Sequence, residues 1–154
     1  MDVKKVNAFS EVLTSTFETA FSAKPFRCGD FKMLSGDIRN PDDLMCVLNF
    51  SGGLLGSVIL TFPEPTARRI YAALMFEEPK DMGQEVIEAF SEILNMIAGN
   101  VRAALQGVKL EFEPPLVVAG KSKFENTEKL PWLLVPMAFK DWGRFNLLIG
   151  IKET

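Results

Sequence analysis

Residues 81–107 impose the strongest constraint in the chain. Placed at about 100° per residue, they divide into two faces. Val86, Ile87, Phe90, Ile93, Leu94, Ile97, Val101 and Leu105 fall on one side, and Glu85, Glu88, Glu92, Asn95, Gly99 and Arg102 on the other. A long helix with one apolar face must be laid on a second layer of structure. The remainder of the chain therefore has to build that layer and leave the polar stripe outside. Asp81 with Gln84 three residues on predicts an N-terminal capping pair, and Gly107 predicts a left-handed stop.

Within the stripe, Glu92 and Asn95 are three residues apart, which on a helix makes their side chains neighbours at about 5–6 Å between Cβ atoms. A carboxylate and a carboxamide thus project side by side from one support. Gly99 follows a turn later. A glycine inside a helix costs about 1 kcal/mol relative to alanine, and on a polar face core packing offers no reason for it, whereas close approach of a partner does. Periodicity by itself favours the plainer reading, a solvated face with an incidental glycine.

The layer beneath is expected from what flanks this helix. Val6, Phe9, Leu13, Phe17 and Ala20 recur at helical spacing, so residues 3–23 predict a first helix, stopped by Pro25. Residues 26–34 form a weak strand candidate and 35–43 a loop. Residues 44–50 and 54–62 predict a hairpin about Ser51-Gly-Gly53. A short helix follows through Phe76, with Pro65 in its first turn. Beyond residue 107, strands are expected over 108–113 and 116–119, a polar mobile loop over 120–129, and a second hairpin from 132–139 and 144–151. Pro136 implies an edge strand or a bulge.

The halves of this 154-residue chain resemble each other. Ala8-Phe-Ser-Glu-Val-Leu-Thr14 aligns without a gap on Ala89-Phe-Ser-Glu-Ile-Leu-Asn95, and the two hairpins align with Phe50 on Phe139. The expectation is a single α+β domain, residues 1–154. It is built from two helix-plus-three-strand halves, roughly 3–62 and 81–151, about a pseudo-twofold axis, with an antiparallel sheet covered by long helices. The repeat carries its own control: Glu11 stands in the place of Glu92, but Thr14 in the place of Asn95.

Composition narrows the chemistry. The chain contains no histidine, which removes a Ser-His-Asp triad and histidine metal sites. Its two cysteines, Cys28 and Cys46, lack metal spacing and are expected as free thiols. A net charge of −3 without a basic run argues against nucleic acid or an anionic membrane. The opening residues show no secretory apolar core, so a cytosolic location is the default. Glu77-Glu78 reads as a solvated loop more readily than as a metal pair, and Arg68-Arg69 as a solvated helix face more readily than as an anion site. Met96 borders the stripe and either grips a partner or covers core.

Glu92-x-x-Asn95, followed by Met96-Ile-Ala-Gly-Asn100, Pro115 and Val117-Val-Ala-Gly120, resembles the signature helix of the CheC/CheX/FliY phosphatases of bacterial chemotaxis, the CheX branch above all. The family's usual aspartate or serine four residues before the glutamate is Glu88 here, and Pro115 stands closer to the asparagine than is usual. The resemblance implies hydrolysis of the aspartyl phosphate on a CheY-like receiver domain. Asn95 would orient the attacking water and Glu92 would contact the receiver's lysine. Glu88, Met96, Gly99 and Arg102 would line the docking face. The resemblance further implies that the receiver holds the Mg²⁺, with no cofactor required of this chain, and that the protein is a homodimer joined through its sheets, with the strand at Pro136 as the place to look. The rival expectations are a non-catalytic module that docks on a receiver or flagellar-motor component, and a purely structural domain.

Overall fold

The computed structural model describes residues 3–154. Helix α1, Val3–Phe21, is followed by the short strands β1, Phe26–Arg27, β2, Lys32–Leu34, and β3, Ile38–Arg39. The hairpin β4, Leu44–Gly52, and β5, Leu54–Phe62, leads into α2, Glu64–Met75, and α3, Gln84–Ala104. Strands β6, Leu110–Phe112, β7, Leu116–Ala119, and β8, Lys123–Phe124, precede the closing hairpin of β9, Trp132–Phe139, and β10, Gly143–Glu153. The architecture is α+β, with an eight-stranded antiparallel sheet and a separate β3–β8 pair.

The pairing pattern is unchanged when the halves of the chain are exchanged. The two hairpins meet along β5 and β10. The offset that aligns Phe50 with Phe139 also aligns Ile59 with Leu148, and these two face each other across the join. Each half then sends its early strands to the other half's hairpin: β1 and β2 pair with β9, while β6 and β7 pair with β4. The expected three strands per half are therefore five, because the first is broken in two and a further short one is added. Those additions lie where loops were expected. β3 falls within 35–43, and β8 within the supposedly mobile 120–129, where Asn126 also bonds Leu130 in both directions, at 2.8 and 2.9 Å.

Alternation along the strands separates two cores. Leu44, Cys46 and Leu48 of β4 and Val58, Leu60 and Phe62 of β5 join Phe9, Leu13 and Phe17 of α1 and Phe90, Leu94 and Ile97 of α3 in the larger one. Met45, Val47, Ile59 and Leu148 face the other way and are covered by Ile38, Leu130 and Trp132. Phe9 stacks on Phe50 at 5.1 Å and Phe62 meets Phe90 at 5.1 Å, so each long helix is keyed to the first hairpin by an aromatic pair. Both hairpins turn on a left-handed glycine, Gly52 at φ 119° and Gly143 at φ 98°; at Gly52 a Cβ would also come within 2.3 Å of the Lys109 carbonyl oxygen.

Pro136 is neither on an open edge nor on a flank free for a second copy. β9 has β10 on one side and β1 and β2 on the other. The proline sits opposite the break between β1 and β2, where its missing N–H leaves no ladder bond to make. Its carbonyl oxygen accepts from the Cys28 N–H at 2.9 Å, and a Cβ on Gly29 would lie 3.2 Å from its ring.

Ile59 is fully buried at the centre of the join. Ile59→Ala should lower unfolding free energy by about 2–5 kcal/mol, read from urea denaturation as a lower midpoint with an unchanged slope.

Candidate functional site

Helix α3 is fixed by its apolar face. Val86, Phe90, Ile93, Leu94, Ile97 and Val101 are all buried, together with Ala89 and Ala98, while Ile87 and Leu105 are half-buried at the margins. Its ends differ from the sequence expectation. Gly83 is the N-cap, and Asp81 bonds the Gly83 N–H at 2.9 Å instead of capping the helix with Gln84. Gln84 turns along the helix and donates to Glu88 at 3.2 Å. The helix closes at Leu105, whose N–H reaches Val101 at 2.9 Å. Gly107 is not among the glycines at positive φ, so its conformational freedom goes unused. The chain leaves a plain helical end with no left-handed turn.

The opposite stripe faces out. Glu85, Glu88, Glu92, Asn95, Gly99 and Arg102 are exposed, and Met96 is half-buried beside them. Among the described residues, neither the Glu92 nor the Asn95 side chain has a hydrogen-bond partner. The two groups are thus presented to solvent from a helix that cannot roll without exposing its buried face. A Cβ on Gly99 would meet nothing within 4 Å, so no contact within the protein requires a glycine there. Arg102 lies over the Phe112 ring at 5.4 Å, which holds its guanidinium at the far end of the stripe. At the near end, Tyr71 donates to Glu85 at 3.4 Å. Burial lifts the Tyr71 hydroxyl above its ordinary pKa, and the charges of Glu85 and Glu77 add to this.

The first-half counterpart is not equivalent. Glu11 is exposed like Glu92, but Thr14 is half-buried where Asn95 is exposed. A contact the sequence did not announce joins the two helices: Asn100 donates to the Thr16 hydroxyl at 2.8 Å, and Thr16 donates to the Val12 carbonyl at 2.7 Å. The available signal was a threonine next to Phe17 within the apolar stripe of α1.

The other candidates disperse. Arg68 bonds Glu64 at 2.8 Å and the Pro79 carbonyl at 2.9 Å, bracing the link between α2 and α3; Arg69 is exposed. Glu77 and Glu78 are exposed, and among the described residues no group of three or more acidic, cysteine or histidine side chains could hold a metal ion. Cys28 and Cys46 are free thiols, the first exposed and the second buried, where burial pushes its pKa far up. No helix of the described residues is long and apolar enough to cross a membrane.

Gly99→Ala should stabilise the isolated protein by about 0.5–1 kcal/mol, since the methyl group meets open space and removes a glycine from a helix interior. Thermal and urea melts check this; a loss of stability would show that the backbone at Gly99 needs the glycine after all.

Comparison with known proteins converges on one family. Residues 44–137 match the model of "Chemotaxis phosphatase CheX". The CheY-P phosphatase CheX of Thermotoga maritima is 30% identical over 157 residues, covering 99% of each chain. Among solved structures, the chemotaxis protein CheX of Desulfovibrio desulfuricans superposes with a TM-score of 0.83 at 23% identity, over 97% of this chain and 100% of that one. The CheX of the CheX–CheY–BeF3–Mg²⁺ complex from Borrelia burgdorferi gives 0.77 at 21% identity, over 99% and 100%.

Proposed function

The chain belongs to the chemotaxis phosphatase CheX family, and on that premise we propose that it hydrolyses the aspartyl phosphate of a CheY-like receiver domain, with Glu92 and Asn95 as the working pair on α3. The relative from Thermotoga maritima is a CheY-P phosphatase, and the one from Borrelia burgdorferi forms a complex with CheY, BeF3 and Mg²⁺. The observation that carries the residue assignment is the stripe itself: two exposed, unpartnered polar groups beside each other on a core-anchored helix, with an unoccupied space at Gly99 one turn on.

The chemistry suits a chain without histidine. An acyl phosphate already has a good leaving group, and the receiver in this reading brings its own Mg²⁺. What remains is to place a water in line with the phosphorus. A carboxamide does not take a proton at neutral pH, but it donates and accepts hydrogen bonds and can hold one water in a fixed orientation. Positioning of this kind can supply several kcal/mol. Asn95 is assigned that task. Glu92 is assigned to the receiver's lysine, an ion pair that sets the register of the helix in the phosphate pocket, and a solvent-facing glutamate is in any case a weak base. Glu88 and Arg102 extend the docking face to either side, Met96 supplies apolar contact, and Gly99 admits the receiver's backbone. The reaction's place is then the cytosol. For the homodimer of this reading we propose the outer strands, which is supported by the exposed Met33 of β2 and Leu116 and Val118 of β7.

The test is turnover of a phosphorylated receiver by substoichiometric protein. The expected outcome is many receivers dephosphorylated per protein; stoichiometric binding that protects the phosphate would make this a docking module. Asn95→Ala should lose about 100-fold in turnover with receiver binding largely kept. Glu92→Ala and Gly99→Ala should weaken binding as well as turnover, and Thr14→Ala should leave both unchanged. A loss at Thr14 as large as at Asn95 would overturn the assignment of a single working half.

A further inference from the structure

The Asn100–Thr16 bond joins the two long helices through a buried hydroxyl. Thr16 is 1% exposed and its one hydroxyl proton goes to the Val12 carbonyl at 2.7 Å. Its oxygen can therefore only accept from α3, and Asn100 meets it with the N–H side of its amide at 2.8 Å. The chain Asn100 to Thr16 to Val12 is complete, and it locks a polar group of α3 onto a buried point of α1.

The repeat shows that this lock exists once. Extending the alignment of residues 8–14 on 89–95, Thr16 corresponds to Ile97 and Asn100 to Thr19. Ile97 is buried and offers no polar atom, while Thr19 is exposed. The reciprocal bond, from α1 onto α3, cannot form. The helix that is tied down is the one carrying the intact Glu/Asn pair, and the residue that ties it belongs to the copy in which the pair is broken.

We propose that Asn100 and Thr16 are positioning residues for the α3 stripe, holding the rotation of α3 about its own axis so that Asn95 meets a water at a fixed angle; this rests on the phosphatase reading given above. Apolar packing rules out any large roll of α3 and leaves only the few degrees that small rotamer changes on the buried face can absorb. A hydrogen bond weakens steeply when its geometry is lost. Asn100 lies five residues beyond Asn95, roughly 140° further round the helix, so it can brace α3 against α1 while the stripe stays open to a partner. Docking through Glu88, Glu92 and Arg102 tolerates a few degrees of roll, whereas in-line placement of a water does not.

The full-length protein with Thr16→Val, which keeps size and burial and removes the hydroxyl, is assayed on a phosphorylated receiver well below its melting temperature, beside Asn100→Ala and Thr16→Ser. The expected result is a fall in kcat of about 10-fold for Thr16→Val and Asn100→Ala with KM within about 2-fold, and recovery in Thr16→Ser. A lowered melting temperature with kcat unchanged in both variants would reduce the pair to a structural contact and overturn the proposal. If Asn95→Ala also left kcat unchanged, the phosphatase assignment of α3 would be the part that fails. Should Thr16→Val not fold, Asn100→Ala, whose truncation is at an exposed position, decides the matter by the same kcat readout.

Discussion

The apolar face of α3 decides which side of the helix lies on the sheet. Val86, Phe90, Ile93, Leu94, Ile97 and Val101 are each 1% exposed or less, and burying a side chain of this kind is worth about 1.5–3 kcal/mol. Turning the helix by half a revolution would return all six to water and put Glu88, Glu92 and Asn95 into the core, where an unpaired carboxylate is far more costly still. Exposure of the polar stripe is therefore a consequence of the core and needs no device of its own. The side chains that could do chemistry are those the interior excludes, and the strength of that exclusion makes their support rigid.

Rigidity also depends on how the sheet beneath is closed. If each half paired only its own strands, the molecule would be two small sheets meeting along β5 and β10. Instead the chain leaving α3 lays β6 and β7 onto β4 of the first half, and the chain leaving α1 lays β1 and β2 onto β9 of the second. Both long helices thus end in strands stitched to the opposite hairpin. Separating the halves would break the join, both crossings and the β3–β8 pair together, so α3 rests on a platform to which both halves contribute.

What the sequence revealed and what it hid divide along physical lines. The helix faces, the two hairpins and the exposed stripe were legible because each is a local pattern: a 3.6-residue period, a 2-residue period bracketed by glycine, or a proline at a helix start. Residues 26–34 read as one weak strand, but its break into β1 and β2 and the short β3 and β8 were not legible, since two or three residues carry no period, and what orders them is a partner strand far away in the chain. Pro136 was legible in part. Taken alone it forbids a ladder bond and so suggests an edge or a bulge; in the fold the strand is not an edge, but its neighbour is interrupted at that point, between Arg27 and Lys32, and no bond is missed. Gly107 and Asp81 carry helix-end residue types, but α3 starts at Gly83 and closes at Leu105, and neither residue caps it. The Asn100–Thr16 bond joins residues 84 positions apart, beyond any local rule, although a threonine at a core position of α1 marked one end of it.

The inequality of the two helices follows from the same principles. The two halves pair their strands alike, yet their long helices differ at corresponding positions. Here one copy keeps a carboxamide in solvent at Asn95, while the other has a half-buried Thr14 at that place and a buried Thr16 whose hydroxyl must find a partner. A buried hydroxyl is costly unless bonded, and Thr16 meets that requirement twice, through Val12 and Asn100. The helix that lacks the Glu/Asn pair is thereby coupled to the helix that has it. The bond that satisfies Thr16 thus anchors α3 on a buried point of α1, while the carboxamide of Asn95 on the same helix stays in solvent.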